Sequence, residues 1–478
     1  MIREDDRRSP QPWFGAVSVD AGAKPSSRRL LLVSYHFPPD PAVGGLRWQQ
    51  LSRLLAERGW SLDVITRDLA TLQSRDDQRL RVLPSDLRIY CASEGEFFLA
   101  RTERAASSIV RRVLPRRKPA SSVALSHQEI ARPSSRGLIR AYNAWARIAN
   151  ENVWGRVVKR IGIALSRMRP YDAIVSSGPP HMSHEAARQI SRATGTPLII
   201  DLRDPWSAVE QVAEDHASPV WFSIARRFER RAVRDSSLVI MNTAKARDQM
   251  RSLYPWATAR IVDIPNGSDD EPMPTVPPAP RFSIRFAGTI YLDRDPRLVF
   301  RAAAMVVRRL GLTPDLFRME FIGHVEEFGG LSVRSMAAEE GLDGFVDVGG
   351  QRLRAEATEF LAGATMLLNL PQGADMCVPA KVFEYMRFNA WLLILAKEGS
   401  ATADTFRGTS ADVVDPNDVE RMADVIQQRY TQYIKGERPL AVGHDGRFDR
   451  SVQADRLVRY LETQVIRAER RLDYVASV

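Results

Sequence analysis

The chain has 478 residues, too many for one ordinary hydrophobic core and enough for two domains of roughly 200 residues each. Its 44% apolar content is that of a globular protein, and no apolar run approaches the roughly 20 residues that a membrane-spanning helix needs. The net charge of +10 is local, because between Arg101 and Arg160 there are 14 Lys or Arg against three Glu, a balance of +11.

Two cysteines, Cys91 and Cys377, define no disulfide framework, and seven histidines form no zinc-type cluster with them, so a reducing cytoplasm is expected. Met1–Ser27 is polar and charged, without the apolar centre of a signal peptide, and reads as a disordered tail. Apolar strand-like runs then alternate with helical patterns. Arg29–Tyr35 reads as a buried first strand, Leu46–Arg58 as a helix stopped by Gly59, and Ser61–Thr66 as a second strand. Ala173–Ser176, Pro197–Asp201, Leu238–Asn242 and Ile261–Ile264 continue the series. Such alternation implies a parallel sheet covered by helices. A basic insertion occupies about 95–165. Its apolar and aromatic residues (Ile109, Val110, Val113, Leu114, Tyr142, Trp145, Trp154) suit a surface that meets anionic lipid, and a solvated helical face is the plainer reading. No nucleic-acid recognition module is legible beside it.

A proline-rich linker at 268–281 separates this 28–267 domain from a second alternation over 282–440. Ser283–Ala287, Met319–Ile322, Val346–Val348, Met366–Leu370, Leu392–Leu395 and Ala411–Val414 read as strands. Pro296–Leu310 reads as a helix capped by Asp295. The segment 441–478 carries a charged helical pattern able to cross back to the first domain.

Four strand-to-helix junctions carry unusual chemistry. After the first strand, Tyr35–Gly45 ends in Gly44–Gly45, whose backbone amides can approach an anion or a sugar hydroxyl. Ser176–His184 contains Gly178-Pro179-Pro180-His181, which can aim His181 at a ligand or leave it as a capping or core residue. Asp201-Leu202-Arg203-Asp204-Pro205-Trp206 sets three charges and an indole after an apolar strand, either as a site or as an internal ion pair. Phe286–Pro296 offers Gly288 and Thr289 for close approach of a phosphate, with Arg294 for charge. Then comes Val378-Pro-Ala-Lys-Val-Phe-Glu-Tyr385. At 100° per residue Lys381, Glu384 and Tyr385 share one side of a helix, opposite Val382, Phe383 and Met386. That helix follows the strand Met366–Leu370, at whose carboxyl end an open parallel sheet binds ligands, and an ordinary amphipathic surface helix with an i,i+3 ion pair is the alternative reading.

Taken in register, these loops resemble the GT-B glycosyltransferases of family four, from about Arg29 to Tyr430. The matching pieces are Tyr-x-Phe-Pro-Pro-Asp with Gly44–Gly45, Gly-Pro-Pro-His, Asp-x-Arg-Asp-Pro-Trp, Ile264-Pro-Asn-Gly267, Ala287-Gly-Thr289 and Val378-Pro-x-Lys-x-Phe-Glu-Tyr385. The resemblance implies two Rossmann-like doubly wound domains facing a central cleft, the first for the acceptor and the second for a nucleotide-diphosphate sugar donor. It implies retaining transfer that requires no cofactor and no bound metal. By position, Glu384 would contact the donor ribose, and Lys381, Arg294 and the Gly288–Thr289 amides would face the diphosphate. His181 would lie near the transferred sugar and Gly44–Gly45 near donor phosphate or acceptor. The Asp201, Arg203, Asp204 and Trp206 loop would bind substrate. Two positions depart from the pattern. Met376 stands eight residues before Glu384 where the family carries a glutamate, with Asp375 adjacent, and the usual cations after the second-domain glycine are replaced by Arg294.

The expectation is therefore a cytoplasmic transferase, peripheral to the inner membrane face through 101–160. It would move a sugar to a glycan or polyprenyl-linked acceptor in surface polysaccharide synthesis, without nucleic acid. A nucleotide-sugar epimerase and a non-catalytic GT-B scaffold or nucleotide-sugar-binding protein are the alternatives.

Overall fold

A computed structural model of the chain describes residues 10–13, 28–93, 133–207, 218–269, 272–277, 279–291, 294–370 and 375–466. They form two units. One runs to Pro265 and resumes at Gln453; the other is Asn266–Val452.

The first unit is built on β1 (Arg28–Ser34), β2 (Trp60–Arg67), β3 (Arg88–Ala92), β4 (Ala173–Ser177), β5 (Leu198–Arg203), β6 (Leu238–Met241) and β7 (Ile261–Asp263). All pair in parallel, in the order β3-β2-β1-β4-β5-β6-β7. Leu30, Leu31, Leu32 and Val33 are all buried, because helices cover both faces and leave no polar side to alternate with. The helix Leu46–Glu57 stops where Gly59 takes a φ of 81°.

Two elements escape the sequence pattern. One is β3, and the other is the 36-residue helix Pro133–Met168, which holds the described part of the basic insertion. Gly162 brings that helix close to the helix Met182–Thr194. A Cβ at position 162 would sit 2.3 Å from Ile190 Cδ1. Trp154 is buried here and so does not belong to a lipid-facing surface, whereas Tyr142 and Trp145 are exposed. The basic residues from Arg101 to Arg132 lie outside the described residues.

The second unit carries β8 (Phe282–Thr289), β9 (Phe317–His324), a small hairpin of β10 (Glu327–Phe328) and β11 (Leu331–Ser332), then β12 (Val346–Val348), β13 (Met366–Asn369), β14 (Trp391–Leu395) and β15 (Asp412–Val414). The parallel sheet is ordered β12-β9-β8-β13-β14-β15. Strand order reverses between β8 and β13, so the crevice for a ligand is expected at their carboxyl ends. The helix after β8 spans Arg297–Leu310 with Pro296 at its N-cap. Asp295 accepts the Arg297 amide at 3.0 Å without being the cap itself.

The helix Arg450–Tyr460 continues as a wider turn over Leu461–Ile466. Ala454, Leu457, Leu461 and Val465 join the core of the first unit, beside Leu30, Leu32, Trp48 and Leu51. Leu457→Ala should therefore destabilise the first unit by about 2–5 kcal/mol in chemical denaturation, while Val452→Ala, at an exposed position, stays near wild type. Equal stability of both variants would contradict this packing.

Candidate functional site

At the carboxyl end of β8 the backbone of Ala287, Gly288 and Thr289 meets the short helix Ala380–Tyr385, which follows β13. Pro379 is the N-cap of that helix and makes no side-chain cap bond. Val382, Phe383 and Met386 are buried as their spacing requires. Tyr385 is buried too, which narrows the open side of the helix to Lys381 and Glu384. Its hydroxyl donates to the Ala287 carbonyl and accepts the Ala287 N–H, both at 2.9 Å.

Lys381 donates from Nζ to the Ala287 carbonyl at 3.1 Å and lies 5.0 Å from the centre of the Phe286 ring. The ammonium rests directly over Gly288, since a Cβ at that position would fall 1.8 Å from Nζ. A second close approach supports the first. A Cβ on Gly323, at the end of β9, would fall 2.1 Å from the Gly288 carbonyl oxygen. Arg294 donates to the Thr289 carbonyl at 2.9 Å and stacks 4.6 Å from the Tyr291 ring. It is 8% exposed.

Among the described residues, neither Lys381 nor Arg294 makes an ion pair. Burial, reinforced by the positive Arg294 and partly opposed by Glu384, lowers the Lys381 pKa to about 8. Burial also lowers Arg294. Two cations that repel each other at a desolvated strand end, with glycine beneath, are chemically able to accept an anion. Glu384 has a half-exposed side chain, and its carboxylate lies 3.8 Å from Arg354, a weak pair. Desolvation raises its pKa, and Arg354 opposes that rise. Asp375 is half-buried and accepts the Ala401 amide through its backbone carbonyl at 2.7 Å, while Met376 is buried.

The charged loop of the first unit is directed inward. Asp201 is fully buried and accepts Trp48 Nε1 at 2.7 Å, Arg47 Nε at 3.1 Å and the Ser177 hydroxyl at 3.3 Å. This corrects the substrate-binding expectation for Asp201: the carboxylate orders the core, and its partner is Arg47, not Arg203 of the same loop. Arg203 takes a φ of 61° at an irregularity in β5. Its guanidinium donates to the carbonyls of Gly178 and of Gly44, the latter at 3.1 Å, tying two loops together. Asp204 is half-buried beside it. Trp206 is buried and stacks 4.9 Å from His181, so it presents no open face to a ligand. Its amide and that of Ser207 donate to buried Glu229 at 2.7 and 2.9 Å.

His181 is the N-cap of the helix Met182–Thr194 and makes no cap bond, and its Nδ1 has no partner. Burial holds its pKa well below the ordinary histidine value, with the neighbouring His184 adding to the effect. His184 is pushed down to about 3 by burial, so both rings are neutral at physiological pH. Gly44 and Gly45 form the last turn before the helix Leu46–Glu57. A Cβ on Gly45 would lie 3.3 Å from both Arg79 Nη2 and the His36 carbonyl.

Residues 44–267 match the family model described as a glycosyl transferase 4-like domain. The match falls almost wholly within the first unit, in a chain of GT-B fold. Anabaena HepE, solved in complex with UDP, superposes with a TM-score of 0.55 at 12% identity, covering 91% of this chain and 100% of that one. Sucrose-phosphate synthase from Thermosynechococcus elongatus gives 0.54 at 13% identity, covering 91% and 99%. A UDP-forming α,α-trehalose-phosphate synthase from Burkholderia xenovorans gives 0.52 at 13% identity, again covering 91% and 99%. No curated protein matches the chain.

The second GT-B unit thus gathers Gly288, Thr289, Arg294, Lys381 and Glu384 around one strand end. Gly44, Gly45, His181, Arg203, Asp204 and Trp206 belong to the first. Gly323 and the lock made by Tyr385 went unread in the sequence, although Phe321-Ile-Gly-His324 ends its strand with a glycine as Phe286-Ala-Gly-Thr289 does. Among the described residues no group of His, Cys, Asp or Glu is arranged to hold a metal ion, and no helix is long and apolar enough to cross a membrane.

Gly288→Ala should displace the Lys381 ammonium and weaken anion binding by at least roughly tenfold while the fold persists. Titration of the variant with inorganic pyrophosphate reads this directly, and wild-type affinity would refute the close approach.

Proposed function

We propose that this GT-B protein is a retaining glycosyltransferase that takes a sugar from a nucleotide-diphosphate donor held by the second unit. The carrying observation is the pair of desolvated cations, Lys381 and Arg294, without carboxylate partners above the Gly288 backbone. A diphosphate supplies the charge they lack. As the sugar–phosphate bond breaks, negative charge grows on the departing nucleotide, and fixed donors already aimed at that position stabilise it. Glu384, half-exposed on the same helix, is assigned to the ribose diol. The acceptor hydroxyl attacks the face the diphosphate leaves, and the departing phosphate takes its proton.

The first unit is assigned the acceptor. His181, neutral and with Nδ1 unpaired, can accept or donate a hydrogen bond to a sugar hydroxyl, and the Gly44–Gly45 turn is kept as a contact for donor phosphate or acceptor. The Asp201–Trp206 loop supports this site by holding its neighbours in place. We assign a glycan or polyprenyl-linked acceptor of surface polysaccharide synthesis, with peripheral attachment to the inner membrane face. Support comes from the basic composition of 101–160 and from the exposed Tyr142 and Trp145 rings.

UDP is the first donor nucleotide to test, since HepE was solved with UDP and with UDP-glucose. One observation favours a second reading, a nucleotide-sugar-binding protein without turnover: Met376, buried, replaces the expected glutamate. Donor binding with no nucleotide release across an acceptor panel would select it.

Lys381→Ala and Glu384→Ala should each lower nucleotide release from the donor by orders of magnitude with unchanged melting temperature. Wild-type UDP affinity should fall as pH rises through about 8, where the ammonium loses its proton. The sign differs for folding. The unfolded chain holds that proton up to about 10.5, so between these values rising pH favours the folded state even as it weakens UDP. Near-wild-type turnover in both variants would overturn the assignment.

A further inference from the structure

We propose that Tyr385 is a positioning residue that fixes the Lys381 ammonium by replacing the missing end of the β8–β13 ladder. The proposal rests on the diphosphate reading of the same site. Pairing between β13 and β8 runs only through Met366↔Ile284 and Leu367↔Arg285. In a parallel ladder the next residue of β8 to turn its N–H and C=O toward β13 is Ala287, two positions on. Among the described residues no strand pairs with it there. The Tyr385 hydroxyl occupies the vacant place, accepting the N–H and donating to the C=O at 2.9 Å each. A partly buried backbone pair left unmatched would be costly, and a single phenol satisfies both groups.

The consequence falls on Lys381. Its ammonium donates to the same Ala287 carbonyl at 3.1 Å, one helical turn from Tyr385. A lysine stem has large rotamer freedom, and the helix that carries it is only six residues long, too short to be rigid alone. With Ala287 clamped by the phenol, the carbonyl that orients Nζ is itself immobile, and the ammonium stays over Gly288. The charged groups felt by Lys381 are Arg294 and Glu384, and Glu384 in turn feels Arg354, Asp269 and Arg387.

The test is a cycle of Tyr385→Phe, Lys381→Ala and the double variant, titrated with UDP from pH 7 to 9.5 beside melting curves. Tyr385→Phe keeps the buried ring and removes only the hydroxyl. UDP affinity should drop roughly tenfold at pH 7.5, and the midpoint of its pH-dependent loss should move upward as the freed ammonium regains solvent. In the Lys381→Ala background the same substitution should change UDP affinity little. A lowered melting temperature with unmoved pH midpoint, or equal losses in both backgrounds, would mean a merely structural tyrosine and overturn the proposal. If Lys381→Ala alone leaves UDP binding intact, the diphosphate reading falls, and this inference with it.

Discussion

An ammonium group resting on a bare glycine Cα, with no carboxylate paired to it among the described residues, is the constraint around which the second unit is arranged. Lys381 can occupy that point only because Gly288 has no side chain, and Gly288 can lie there only because Gly323 also lacks one. Arg294 adds a second cation that the fold does not neutralise. Such a cluster disfavours the empty protein: burial and mutual repulsion both work against the charge, which is why Lys381 titrates near 8. An anion of two or more charges would reverse that balance, which is the ground for the proposed diphosphate site.

The first unit uses charge differently. Asp201, Arg47 and Trp48 form a closed buried network, and Arg203 bridges the carbonyls of two loops from a strained backbone position. Charges in that stretch therefore shape the loops that end β1 and β4. The neutral imidazole of His181, packed on Trp206, has a buried nitrogen without a partner, as does that of His184.

Much of this was legible in the residues. Buried strands such as Leu30–Val33 declare themselves because both faces of a parallel sheet are apolar, whereas the proline-rich stretch before Phe282, read as the boundary, lies inside the second unit, which begins at Asn266. The motifs around Gly288 and Lys381 pointed to residues that the fold brings together, since glycine, a following cation and a helix after a strand are local signals. What stayed hidden depended on distant contacts. Tyr385 looked like a third polar group on the open side of its helix, and only the early end of the β8–β13 ladder explains why it turns inward. Asp201 looked like a partner for Arg203, two positions away, whereas its actual partner lies 154 positions earlier, on another element. The long helix Pro133–Met168 was obscured by its charges, which run around it without a clean apolar stripe.

The most direct measurement is calorimetric titration of the wild-type protein with UDP, UMP and uridine under one set of conditions. An unpaired pair of cations predicts that each added phosphate tightens binding, with UDP favoured over uridine by roughly a hundredfold. Equal affinities for the three would contradict it, since the seat would then make no use of the diphosphate.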